Sequence, residues 1–189
     1  MNSLKRNDEG FTGLEAAIVL IAFVVVAAVF SYVVLGAGFF TTQKAQETVY
    51  SGVAQATSNI QMTGQVYGLG SGPSPTLINE IQFSIGLAPG SPTIDLTMLK
   101  IVYSRPDLET APIILTYGGG TASTTEFSST IATVAAPSLA AQQQVLIDFK
   151  VVGTPKNKIM NIEIRPSVGA SLPFSKSTPA SIASTNVLY

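Results

Sequence analysis

From Ala16 to Phe40 the chain runs for twenty-five residues without a charge, and only Ser31, Tyr32 and two glycines interrupt its large and small apolar residues. At about 1.5 Å per residue a helix over this run is roughly 37 Å long, enough to cross a hydrocarbon core. Such a helix is apolar on every side, so it predicts burial in lipid or against copies of itself. After Phe40 the pattern changes without stopping. Ala45, Val49, Val53, Ala56 and Ile60 recur at spacings of three and four, opposite a face that carries Gln43, Lys44, Glu47, Gln55 and Asn59. That is one apolar stripe on a continuing helix, with Lys44 and Glu47 as a local pair and Gly52 as a soft spot. The expected helix runs to Met62, well beyond what a membrane needs.

Beyond it the periodicity turns from helical to two. Gly64, Gly68, Gly70, Gly72, Pro73 and Pro75 predict an exit loop. Ile81, Phe83, Ile85 and Leu87 then alternate with polar or small residues, as do Val145, Ile147, Phe149 and Val151, and Met160, Ile162 and Ile164. Further strands are expected over residues 93–103, 113–117 and 126–134, with residues 185–189 as an edge strand and a Ser/Pro-rich irregular tail from Pro166. Short strands separated by turn signals argue for an antiparallel sandwich. The predicted fold class is α+β: one long N-terminal hydrophobic α-helix followed by an antiparallel immunoglobulin-like β-sandwich head.

Composition removes function classes. Charged residues make up 11% of the chain and the net charge is −1, with no long basic block, so the footprint of a nucleic-acid binder is missing. There is no histidine and no cysteine, which excludes disulfides, thiol nucleophiles, imidazole bases and the commonest transition-metal ligands. Serines are plentiful but lack an adjacent base in any recognisable motif. Gly118-Gly119-Gly120 is not followed by Gly-Lys-Ser/Thr and reads as a hairpin turn. No enzyme and no cofactor is expected. Asp107 and Glu109, with Asp95, are candidates for a Ca²⁺ site but lack the EF-hand spacing, and the alternative is solvated loop surface. No Asn-x-Ser/Thr sequon occurs, while the Ser/Thr-rich stretch over residues 121–133 would suit O-linked sugar.

The amino terminus admits three readings. A secretory signal peptide would have a shorter apolar region, with its cleavage site after it. An uncleaved anchor, basic end in the cytoplasm, explains the topology but not Glu15 or the helix beyond the span. The third places a cut before the apolar run, between Gly10 and Phe11. Lys5-Arg6, Gly10, Phe11, Glu15 and the Ala/Val/Ile/Leu run resemble a type III signal sequence, shared by type IV pilins and archaeal flagellins (archaellins). The string from Gly10 to Phe40 is closer to archaellin; the pair Asp8-Glu9 before the cut is a departure.

The resemblance implies a leader over residues 1–10, a filament-core helix over 11–62 and a head over 63–189. It implies a homopolymeric surface filament for swimming, with co-assembly of other archaellins left open, a prepilin-type leader peptidase, a membrane platform and an assembly and rotation ATPase, with the precursor held in the membrane and the filament outside the cell. Phe11 and Glu15 would act in assembly, the carboxylate meeting the new amino group or a neighbour's polar group. Ala16, Ala17, Ala22, Ala27, Ala28, Gly36, Ala37 and Gly38 would allow close approach of helices. The alternatives are an adhesion pilin of the same layout and a membrane-anchored extracellular binding module.

Overall fold

A computed structural model describes the backbone of residues 4–189 and the side chains of residues 13–189. The first element is a single helix, α1, Leu4–Thr57. It ends five residues before the expected boundary at Met62. The reason lies in Ile60, which satisfies both periodicities: it continues the helical stripe, and it also opens β1, Ile60–Gly70, where it is buried. The β1 backbone pairs with a neighbour on each side, and that ladder wins over one further helical turn. Gly64, Gly68 and Gly70, read as loop signals, therefore lie in a strand, whereas Gly72, Pro73 and Pro75 do lie in the loop that follows it. At Gly68 a Cβ would come within 2.8 Å of the Ile78 side chain, so the small residue marks a close approach rather than a break.

β2, Ile78–Leu87, follows as expected. The predicted long strand over 93–103 is split into β3, Ile94–Asp95, a 3₁₀ turn, Leu96–Met98, and β4, Lys100–Ser104. Asp95 causes the break, because its carboxylate accepts hydrogen bonds from the Thr97 backbone NH and hydroxyl and so caps the turn. β5, Ile113–Tyr117, has the predicted bounds. The 126–134 segment divides at a tight turn into β6, Glu126–Ile131, and β7, Val134–Ala135. Then come β8, Ser138–Leu139, β9, Gln144–Thr154, and β10, Ile159–Arg165. The tail contains a further strand that the pattern did not reveal, β11, Leu172–Ser177, before β12, Thr185–Leu188.

The head is mostly antiparallel, in the order β11-β10-β4-β5-β6-β9-β2-β1-β12. The exception is β5 against β6, which run parallel over two residue pairs, Thr116–Glu126 and Tyr117–Phe127. A parallel pair normally needs a long crossover. Here the overlap is so short that the glycine-rich loop 118–125 suffices, so Gly118-Gly119-Gly120 lies between parallel strands and not in a hairpin. This seam makes one hydrogen-bonded sheet out of what would otherwise be two. Its halves fold over a shared core: Phe83 of β2 meets Phe174 of β11 with ring centroids 5.5 Å apart, and Tyr103 of β4 meets Phe149 of β9 at 5.9 Å. The two ends of the strand order meet as well. Ser177 NH donates to the Tyr189 carbonyl at 2.7 Å, and Tyr189 NH donates back at 3.1 Å. Phe83, Phe127, Phe149 and the isoleucines at 81, 85, 101, 147 and 164 fill the interior.

Candidate assembly surface

Every side chain from Gly13 to Val53 along α1 is exposed. That includes residues that water tolerates poorly: Phe23 is 72% exposed and Tyr32 83%. The segment Gly13–Thr57 is long and apolar enough to cross a membrane, and none of its most apolar window is buried. Single exposed apolar side chains are ordinary, but a continuous apolar rod is a surface awaiting a partner.

The rod's relief is set by small residues. Ala16-Ala17 and Ala27-Ala28 recur after eleven residues, and Gly38 follows after eleven more. Eleven residues make three turns plus about 20°, so Ala16, Ala27 and Gly38 share one line of the helix. Ala22, Gly36 and Ala37 lie on other faces. This recurrence was present in the sequence, hidden by the uniform hydrophobicity around it. Gly36 and Gly38 leave open space where a Cβ would stand, and at Gly36 the helix surface dips between Tyr32, Leu35, Phe39 and Phe40. A second shallow dent holds Glu15 among Ala16, Val19, Leu20 and Phe23.

Several polar groups on the rod are satisfied within it. Thr41 donates to the Ala37 carbonyl at 2.8 Å, Thr42 to Gly38 at 2.9 Å, Thr48 to Lys44 at 2.9 Å and Thr57 to Val53 at 2.8 Å. These hydroxyls can therefore enter an apolar environment without an outside partner. Lys44 and Glu47 form the expected pair at 2.6 Å. Lys5, Arg6, Gly10 and Phe11 belong to the helix backbone, but their side chains fall outside the described residues, so the cut and the leader charges have no geometry here.

The carboxylates proposed for Ca²⁺ are not brought together. Asp95 is occupied as the cap of the 3₁₀ turn, and its hydrogen bonds from Thr97 hold its carboxyl below the usual range. Asp107 lies 2.8 Å from buried Arg105 and 3.4 Å from Lys158. Arg105 in turn donates to the Gly153 carbonyl at 3.1 Å and to the Thr154 hydroxyl at 3.0 Å, so this cluster ties the β4–β5 loop to β9. Glu109 is exposed. Among the described residues no group of three or more His, Cys, Asp or Glu side chains could hold a metal ion.

A wrapped β head and an exposed apolar helix define a class: a subunit whose main interaction surface is buried only when other chains or lipid surround it. Comparison with known proteins gives the family. The archaeal-type flagellin family model matches residues 10–176. The chain is 41% identical to probable flagellin 1 of Archaeoglobus fulgidus, over 97% of this chain and 96% of that one. It is 91% identical to a 24 kDa flagellin of Methanospirillum hungatei over 32 residues, which is 17% of this chain and the whole of that sequence. The archaeal flagellum structure of Methanospirillum hungatei strain JF1 matches with a TM-score of 0.70 and 36% identity, covering 94% of this chain and 99% of that one. The chain belongs to the archaeal-type flagellin family. It is a structural subunit of the archaeal flagellum, the extracellular filament of swimming motility.

Proposed function

We propose that the chain is made as a membrane-held precursor and enters the filament after a cut between Gly10 and Phe11. The observation that carries this reading is the uncharged, fully exposed stretch of α1 from Ala16 to Phe40, with Lys5 and Arg6 ahead of it in the sequence. Lipid hides the stretch first, and the two cations keep that end on the cytoplasmic face while the head stands outside. A prepilin-type leader peptidase then removes residues 1–10. The loss takes away two cations and two acids, so net charge is unchanged; what changes is that a hydrophilic segment disappears and an amino group appears on Phe11.

The helices next leave lipid and pack on one another, heads outward. Lipid tails are as apolar as valine, so the gain at this step is close packing, to which Ala16, Ala27 and Gly38 contribute by letting backbones approach. Outside the cell the exchange is no longer with lipid but with water, and releasing a subunit would expose the whole run. Glu15 lies one helical turn from Phe11, and the carboxylate is matched by the new amino group or by a polar group of a neighbour. A membrane platform and an ATPase drive insertion and rotation.

Amino-terminal sequencing of filaments sheared from cells tests the reading. Phe11 as the first residue is the expected result. A chain that keeps Met1 and is extracted only by detergent, as a monomer, would instead mark a membrane-anchored binding module.

A further inference from the structure

We infer that the two residues between α1 and β1 form a clamped joint, held by Ser91 and Gly169, and are not a flexible tether. A change from helix to strand within two residues normally leaves the last helical carbonyls open and the connecting backbone free. Here each is taken. Ser58 NH donates to the Ala54 carbonyl at 2.9 Å and closes the last helical bond. The Ser91 hydroxyl donates to the Thr57 carbonyl at 2.6 Å and accepts from Asn59 NH at 3.4 Å, so one side chain bridges both sides of Ser58. The Asn59 carbonyl accepts from Ala88 NH at 3.0 Å, and Ser91 NH donates to the Ala88 carbonyl at 3.1 Å, which fixes the bridging loop itself. Ile60, the next residue, is already paired with Leu87 in the sheet.

The opposite side is closed by the β10–β11 loop. Gly169 has φ +105°, and a Cβ there would fall 2.7 Å from Ser58 Cβ and clash severely with the Ser58 carbonyl oxygen. No side chain fits at 169, so this loop lies backbone to backbone on Ser58. Ser58 and Ser91 are both buried, at 3% and 5% exposure. Two loops from distant parts of the sequence thus hold the same short connection, the one after β2 at Thr57 and Asn59 and the one after β10 at Ser58. The last helical turn, Ala54 to Thr57, is thereby made part of the head. In a subunit of a rotating filament this is a load path: force on that turn passes to the β1–β2 ladder instead of being lost in a swivel. Ser91 and Gly169 are positioning residues for this transfer.

The joint belongs to the single chain, so its test does not depend on polymerisation. The readout is residue-resolved hydrogen exchange of the full-length protein in detergent. In the unaltered chain the amides of Ser58, Asn59 and Ala88 are expected to exchange at least 100-fold more slowly than those of the exposed turn at Gln142. Ser91→Ala is expected to speed exchange at Asn59 and Ala88 at least tenfold while leaving β9 amides unchanged, and Ser91→Thr, which keeps the hydroxyl, to restore protection. Gly169→Ala is expected to speed exchange at 57–60 and 167–171 together. Rapid exchange at Ser58 and Asn59 in the unaltered chain overturns the proposal, whatever the variants do. So does an unchanged pattern in Ser91→Ala with β9 intact.

Discussion

At the scale of single residues, the turn between β6 and β7 holds the clearest local conflict. Ala132 and Thr133 have φ of 47° and 71°, two consecutive left-handed residues of the kind a two-residue hairpin requires. Asn-Gly is the natural pair for such a turn, and a β-branched residue there is strained. Thr133→Gly is expected to stabilise the head by about 1 kcal/mol, the relief of strain exceeding the added freedom of the unfolded chain, and to raise its melting temperature by about 3 °C. Thermal unfolding followed by circular dichroism reads the change; an unaltered or lower midpoint contradicts it. A second residue-level expectation concerns pH. Burial pushes the Glu80 carboxyl up, with the charge of Asp148 adding to it and Lys150 opposing. Asp148 is also raised by burial, against the lowering effect of a Ser128 hydrogen bond. A carboxyl raised on folding means the native head binds more protons than the unfolded chain between the ordinary carboxylate range and the raised one. Stability contributed by these groups is thus lost as pH climbs through that window, and the head is more stable in mild acid than at neutrality in this respect. Glu80→Gln should flatten that dependence and add about 0.3 kcal/mol at pH 7, a small figure because solvent screens a group this open. A denaturant midpoint at pH 7 that falls on substitution would contradict the sign.

At the scale of elements, aromatic contacts decide how the wrapped sheet is held. Phe149 of β9 is fully buried and touches Phe83 in its own half and Tyr103 in the other, at centroid distances of 6.4 and 5.9 Å. Phe149→Ala should cost about 4 kcal/mol of head stability, from lost transfer energy and the cavity left behind. Chemical denaturation measures it, and a loss below 1 kcal/mol would mean that the halves are held elsewhere. Elements were legible where burial writes a period of two: β2, β9 and β10 were visible as alternating Ile, Phe and Val, and β5 had the right ends. Other features were not. β1 bears Gly68 and Gly70 because neighbours crowd them, and Gly64 because its φ is +87°; from the sequence each looks like a loop glycine. β11 reads Leu-Pro-Phe-Ser-Lys-Ser, with only Leu172 and Phe174 as apolar residues packed against the core, so the pattern is too sparse to announce a strand. The parallel seam between β5 and β6 depends on which strand finishes beside which, and no local pattern carries that. The boundary of α1 failed for a different reason: Ile60 fits the helix and the strand equally well, and pairing in the sheet settled it.

At the scale of the whole molecule, the assembly surface was readable because it is an excess. Twenty-five uncharged residues in a row have no place in a soluble head, so the chain announces its partner by what it leaves uncovered. What the row of letters did not show is relief: the Ala16, Ala27, Gly38 line appears only when the residues are placed on a helix. A filament held by this surface should respond to solvents in a particular way. The run carries no ion pair of its own, so raising NaCl from about 0.15 to 1 M, which shortens the screening length from roughly 8 to 3 Å, should release no subunits. Between Phe11 and Phe40 the one charged side chain is Glu15, and a charge pair enclosed by helices is poorly screened. Val26→Lys puts a cation at the middle of the rod, where each helix would have to bury it; insertion at such a depth is unfavourable by about 3 kcal/mol even for a single span, and packing against several helices offers no water to relieve it. Cells making this variant should lack filaments, while its head retains the melting temperature of the parent. Electron microscopy of cells, with pelleting of sheared filaments across the salt series, separates the outcomes. Filaments that dissolve in 1 M NaCl, or that form normally with Lys at 26, would place the cohesion in the heads, and α1 would then be an anchor that merely accompanies the fibre.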